Sequence, residues 1–283
     1  MRNRPALSFL FLAYAISWSI FAVAKWGLSI TDPLAWTAAS ALFMFGPALA
    51  TLILFRPLGL SWSDLGVVFR GISWKWMGIA VLIALAMPVM ALFFNWILGN
   101  LLHLQGFGHT AITRDMLINV LREQLARSGV TQEAVNARVG SIQALPLNGP
   151  VLLVMMLAAS AIAGCTVNFV FAMGEELGWR GLLFHSTQRF GLFRQVLFTG
   201  IVWGLWHAPL IHHGLNYPDQ PWGGIAFMCL FTTALALPLA WVRFRSGCVW
   251  SAGVLHGTVN AAAGITVLFT QGTSKMLGGG AGL

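Results

Sequence analysis

Long apolar runs separated by short polar connections recur along the whole chain, at about 7–28, 34–55, 76–102, 150–173, 195–211, 222–242 and 248–270. Each is close to the roughly 20 residues that an α-helix needs to cross a bilayer. The pattern therefore predicts an all-α fold, a polytopic transmembrane helix bundle of about seven spans with eight as the upper count. The one sizeable polar region lies between the third and fourth runs, at 104–149. There Met116, Leu117, Val120, Leu121 and Leu125 recur at helical spacing with Asp115, Arg122, Glu123 and Arg127 opposite them, the pattern of an amphipathic helix at a membrane interface. Thr131 can cap a second short helix that carries Val135, Val139 and Ile142 on one face.

Composition agrees with this class. The 283 residues are 58% hydrophobic and only 8% charged, with 13 Trp and 20 Phe, too little polar surface for a water-soluble domain of this size. The formal charge of +8 does not point to nucleic acid, because the basic residues sit scattered at helix ends instead of along one stripe. They report topology better. With a cytoplasmic N-terminus, 10 of the 16 Lys and Arg residues fall inside, and four of the six outside belong to the long 104–149 loop. The basic loop from Arg56 to Lys75 is then a cytoplasmic surface anchor, and 104–149 is extracytoplasmic. Ala22-Val23-Ala24 resembles a signal-peptidase site, but Tyr14, Ser17, Trp18 and Ser19 within the apolar run favour a retained first span. Cys165, Cys229 and Cys248 are far apart and lack CxxC spacing, which predicts neither a disulfide framework nor a zinc ribbon.

Three polar clusters interrupt the apolar runs of the C-terminal half: Glu175-Glu176-Leu-Gly-Trp-Arg180, Trp203-Gly-Leu-Trp-His207 and His256-Gly-Thr-Val-Asn260. An ionised group beside hydrocarbon costs about 3 kcal/mol on insertion scales, so such groups face a cavity, a partner or chemistry. Glu176 and Arg180 are spaced as an i,i+4 ion pair that locks the helix end. Glu175 points about 100° away around the helix and is left to face neighbouring helices as the candidate base, with His207 as its partner. His256 and Asn260 share one helical face and could donate to a single oxygen, as an oxyanion hole does. Gly174, Gly178 and Gly181 form a small-residue face for close helix packing, and Trp179, Trp203 and Trp206 read as core or cavity wall.

The order EExxxR, then an aromatic residue ahead of His207, then HxxxN resembles the CPBP intramembrane proteases, which include the type II CAAX prenyl endopeptidases of the Rce1-like, or Abi, group. The resemblance covers about 150–271, including Phe244 to Trp250 before the last histidine. It divides the chain into N-terminal helices with the extracytoplasmic segment (1–149), a protease-like core (150–271) and a glycine-rich tail (272–283). What the resemblance implies is an intramembrane endopeptidase acting on membrane-associated or prenylated peptides. In it Glu175 and His207 activate water, His256 and Asn260 stabilise the oxyanion, and Glu176 and Arg180 support them. Trp203 stands where the family commonly has Phe.

Other chemistries fit the residues less well. No His is followed by the Glu of an HExxH motif; a metal-free glutamate mechanism is expected, with zinc as the alternative because two His and two Glu could bind it. GxSxG is missing, and Asp32, Asp64, Asp115 and Asp219 all fall in loops, against serine and aspartyl chemistry. A transporter is the rival from another class, given Pro47, Pro88, Pro209 and Pro238 in spans, and a silent scaffold or bacteriocin-immunity protein is a third reading. The expected setting is a bacterial inner membrane, with the bilayer and a membrane-tethered peptide as partners and no nucleic acid. The flanking Arg180, Arg189 and Arg194 lead one to expect a site that opens toward the cytoplasmic leaflet.

Overall fold

A computed structural model describes residues 4–127, 131–144, 146–274 and 277. Arg2, Lys275 and the Gly278–Gly280 tail lie outside the described residues.

The apolar runs fold as helices. The first is α1 (Pro5–Ala22), extended by a π-helical turn at Val23–Gly27. The second breaks at Phe45 into α2 (Pro33–Met44) and α3 (Gly46–Phe55), with Pro47 tolerated in the first turn of α3 because that turn's N–H groups have no intrahelical acceptor. Next comes α4 (Trp74–Asn95), which carries Pro88 in its interior. Amphipathic α5 (Arg114–Arg127) and α6 (Gln132–Gln143) occupy the polar region where the spacing predicts them, and the Thr131 hydroxyl caps α6 by accepting from the Ala134 amide at 3.4 Å. Their apolar faces meet each other through Ile118, Leu125, Val135 and Val139, all buried.

The C-terminal half holds α7 (Gly149–Cys165), α8 (Val167–Glu176), a π-helical turn (Leu177–Leu183) and the short α9 (Phe184–Ser186). After them run α10 (Leu192–Trp206), α11 (Ala208–His212), α12 (Pro221–Ser246), α13 (Val249–Ala262) and α14 (Ile265–Leu268). Among the described residues five helices are long and apolar enough to cross a membrane, or six when the pair α7 and α8–α9, bent by 54°, counts as one span. The run at 195–211 corresponds to the 15-residue α10 and the short α11, which makes it shorter than the other spans. The only strands described are two-residue ones, His109–Thr110 paired antiparallel with Thr270–Gln271. The protein is an integral membrane helix bundle.

Close helix approach follows from small residues, as expected where lipid supplies no hydrophobic drive between helices. A Cβ on Gly200 of α10 would lie 2.4 Å from the Thr233 Cα of α12, and one on Gly204 2.5 Å from the Cys229 Cα. The bonds across the bundle are polar: Thr232 of α12 donates to the Gly200 carbonyl (2.8 Å), and Ser160 of α7 to the Ala261 carbonyl of α13 (3.2 Å). The first helix is fastened to the C-terminal half through the Tyr14 hydroxyl on the Val202 carbonyl and the Trp18 indole on the Trp206 carbonyl (3.0 Å).

The basic loop 56–73 is ordered by its own contacts. The Ser61 hydroxyl and amide donate to Asp64 (2.6 and 2.8 Å), which holds that carboxyl below its usual range. The Val249 amide donates to the Gly66 carbonyl (2.9 Å) and the Trp250 indole to the Val68 carbonyl (2.6 Å), tying the loop to the start of α13.

Replacing Gly200 by Val forces α10 from α12 and should destabilise the bundle by about 1–3 kcal/mol, the usual cost of overpacking. Gly78→Ala, where nothing lies within 4 Å of the added Cβ, should leave the unfolding midpoint in detergent where it is. Equal midpoints for wild type and Gly200→Val would contradict the close crossing.

Candidate active site

The acidic pair ends α8, and two glycines let that end sink into the bundle. A Cβ on Gly178 would sit 2.5 Å from the Pro47 side chain and 2.8 Å from Phe9, while one on Gly174 would press on the Met44 carbonyl at 3.0 Å. Gly181 differs from the expectation of a continuous small-residue face, since its nearest neighbour is 3.6 Å away. The chain then widens into its π-helical turn, a distortion often found at functional sites. Arg243 of α12 braces that turn by donating from Nε to the Arg180 carbonyl at 3.0 Å.

Glu176 and Arg180 form the expected i,i+4 pair, with Arg180 Nη1 2.9 Å from Glu176 Oε1 and both side chains within 1% of full burial. The same carboxylate oxygen also meets His256 Nδ1 at 2.8 Å, a contact across 80 residues that spacing along one helix does not reveal. Because a carboxylate only accepts, His256 carries its proton on Nδ1 and keeps Nε2 for a ligand. With His256 as an imidazolium, Glu175 and Glu176 are balanced by Arg180 and His256. Such local neutrality is what makes a buried charge cluster tolerable in a membrane interior.

Glu175 turns away from this cluster, as its position on the helix predicts. Its Oε2 accepts a 2.6 Å hydrogen bond from the Trp203 indole. Among the described residues it shares no direct hydrogen bond with His207. Trp203 links the two instead: its carbonyl oxygen accepts from His207 Nδ1 at 2.8 Å, so neutral His207 presents Nε2 as a base. The Arg180 guanidinium lies 4.5 Å from the Trp203 ring centroid, and the His256 ring meets the indole edge-on at 5.2 Å. Trp203, read from sequence as wall or packing, is thus the residue that meets Glu175, Arg180, His207 and His256.

Glu175, His207, His256 and Asn260 all line one cavity of about 460 Å³. Sequence reasoning missed two contributions to it. Asn168 lies seven residues before Glu175, two helical turns along the same face, and that spacing was the available signal. Thr37 and Ser40 of α2 bring a wall from the N-terminal half, for which no local pattern exists. Among the described residues no three His, Cys, Asp or Glu side chains gather as a metal-ligand set. The cavity's apolar walls, including Phe43, Phe171, Leu210 and Phe231, surround the few polar groups, the usual make-up of a small-molecule or peptide site.

Trp203→Phe keeps the ring under Arg180 and removes the donor to Glu175. Leaving a buried carboxylate short of its hydrogen bond should cost about 1–3 kcal/mol, read as a lower unfolding midpoint in detergent. A midpoint equal to wild type would show that the indole bond carries no weight.

Residues 149–262 match the family model described as type II CAAX prenyl endopeptidase Rce1-like. A CAAX prenyl protease 2 of Methanococcus maripaludis is 34% identical over 103 residues, which cover 34% of this chain and 33% of that protein. The aligned part therefore spans about a third of the length of this curated relative. Both glutamates, Arg180, Trp203, His207, His256 and Asn260 fall inside the matched segment. Over residues 149–262 the chain is thus similar to the type II CAAX prenyl endopeptidases of the Rce1-like family.

Proposed function

We propose that the protein is an intramembrane endopeptidase that hydrolyses a peptide bond in membrane-associated, CAAX-type prenylated or similarly tethered peptides, without a covalent acyl-enzyme. The observation that carries this reading is the convergence of Glu175, His207, His256 and Asn260, from three helices, on one cavity with apolar walls. The name of the methanococcal relative and the matched family model support the same class of reaction.

In this proposal a water held between Glu175 and His207 Nε2 loses a proton to them as its oxygen bonds to the scissile carbonyl carbon. The oxyanion that forms accepts from the Asn260 side-chain amide and from Nε2–H of imidazolium His256, whose charge Glu176 balances. Collapse of the tetrahedral adduct breaks the C–N bond, and the stored proton passes to the leaving amine. Glu176 and Arg180 are positioning residues: they fix the His256 ring and the turn that aims Glu175. No metal enters this scheme. Zinc remains the competing account of the same residues, and the assay below separates the two.

The test is cleavage of a quenched fluorescent farnesylated CAAX peptide by the purified protein in detergent, with and without chelator. Cleavage should survive chelation and vanish in Glu175→Ala and His207→Ala. Asn260→Ala should lower kcat by about 10²- to 10³-fold, the contribution of one oxyanion-hole donor. Loss on chelation with rescue by zinc would replace the water-activation step with a metal-bound one. Full activity in Glu175→Ala would end the proposed mechanism, and wild-type protein inert on tethered peptides would leave the fold serving as a scaffold.

A further inference from the structure

Helix α1 leaves one apolar stripe exposed, and the stripe ends in a cation. Phe11, Trp18 and Lys25 recur every seven residues, two turns apart, so they share a face with about 20° of drift at each step. Ala15 lies between the two aromatic residues on that face, and Phe11, Ala15 and Trp18 are all exposed. The succession large, small, large leaves a shallow track along the helix. From Ala15 to Lys25 the chain rises about 15 Å at 1.5 Å per residue, half of the roughly 30 Å hydrocarbon core of a bilayer. The track is therefore as long as one leaflet is deep.

At its end the π-helical turn Val23–Gly27 and α11 enclose a cleft of about 600 Å³. Lys25, His212 and His213 supply the polar groups of this cleft, and Trp18, Phe21, Trp26 and Pro209 its walls. Among the described residues no carboxylate lines it, and neither Lys25 nor either histidine side chain has an ion-pair or hydrogen-bond partner. The rings are held by apolar contacts instead: His213 meets Trp36 edge-on at 4.5 Å, and His212 meets Trp222 at 5.3 Å. Partial burial, and after it the neighbouring Lys25 and His212, hold the His213 imidazole below its usual range. At neutral pH it is then a neutral N–H donor beside the Lys25 ammonium. Trp26 and Trp222 are exposed at this level, where indoles settle at the boundary between lipid tails and water.

We propose that this cleft is a binding site for an anionic glycerophospholipid, whose phosphate sits on Lys25 and the N–H groups of His212 and His213 while one acyl chain follows Trp18, Ala15 and Phe11. Each part of the ligand answers a separate feature. The unpaired ammonium calls for negative charge, and the absence of a lining carboxylate gives the ammonium group of a zwitterionic headgroup nothing to meet. Free phosphate would satisfy the same donors but leave the track uncovered. The Trp18 indole is already bonded to the Trp206 carbonyl at the end of α10, so a lipid seated here lies against the bond that fastens α1 beside His207. The site stands on this geometry alone and does not depend on the hydrolytic reading.

The experiment uses the full chain, purified in an uncharged detergent and stripped of lipid. It is offered equal amounts of phosphatidylglycerol and phosphatidylcholine with the same acyl chains, and retained lipid is counted by native mass spectrometry. Wild type should retain phosphatidylglycerol in preference. Lys25→Gln should lower that retention about fivefold, the weight of one cation at a membrane surface, and Lys25→Arg should restore it. Lys75→Gln, which removes the same charge from the basic loop, should change nothing. Ala15→Trp fills the track at an exposed position and should lower retention while leaving the Lys25 cleft intact. Inorganic phosphate in large excess should not displace the lipid. Equal retention of the two lipids by wild type overturns the proposal, as does a Lys75→Gln loss equal to that of Lys25→Gln, which would report net charge alone. Displacement by inorganic phosphate, or full retention in Ala15→Trp, would reduce the cleft to a phosphate site and overturn the assignment to a lipid.

Discussion

The bond on which the rest of the structure depends is the one between Glu176 and its two partners, Arg180 and His256. A carboxylate fully buried in a membrane bundle is costly unless paired and hydrogen-bonded, and breaking such a pair from one side typically costs about 3–5 kcal/mol. Glu176 Oε1 receives Arg180 from its own helix and His256 from α13, so a single oxygen fixes the end of α8 to the helix that carries half of the candidate site. Arg243 braces the same turn from α12, and α1 and α3 press on its glycines. Glu175 can face the cavity because its neighbour is held so firmly that the turn cannot rotate.

This arrangement also divides labour between adjacent, chemically identical side chains. Glu176 meets the Arg180 guanidinium and the Nδ1–H of His256, and is closed off from the cavity. Glu175, about 100° around the helix, meets only a neutral indole N–H and keeps its carboxylate at the cavity surface. Two carboxylates with different surroundings are a recurring way for one fold to hold one acid for structure and one for proton transfer. Trp203 couples the two sets, since its N–H, ring face and carbonyl each serve a different member.

Much of this was legible in the chain, for reasons that can be named. Apolar run length gave five or six of the seven expected spans among the described residues, and helical periodicity gave α5, α6 and the Thr131 cap, because these are local properties. The spacing of Glu176 and Arg180 gave their pair, and the three polar clusters named four residues that line one cavity. What escaped was non-local. The bend at Thr166 falls in a stretch without Pro, and only the folded backbone shows it. His256 on Glu176 and Trp203 on Glu175 join residues 80 and 28 apart, beyond any periodicity argument. Arg180 was read as a flanking charge, whereas it is buried beside Glu176 and the Trp203 ring.

The central claim is that Glu176 and His256 act as one coupled unit. A double-mutant cycle of Glu176→Gln and His256→Ala, read by equilibrium unfolding in mixed micelles, measures that coupling directly. The account predicts an interaction energy within the range of about 0.5–3 kcal/mol seen for residues in one buried network, toward its upper part. Strictly additive losses would mean that the two side chains are independent, and the account of how the site is held together would fail.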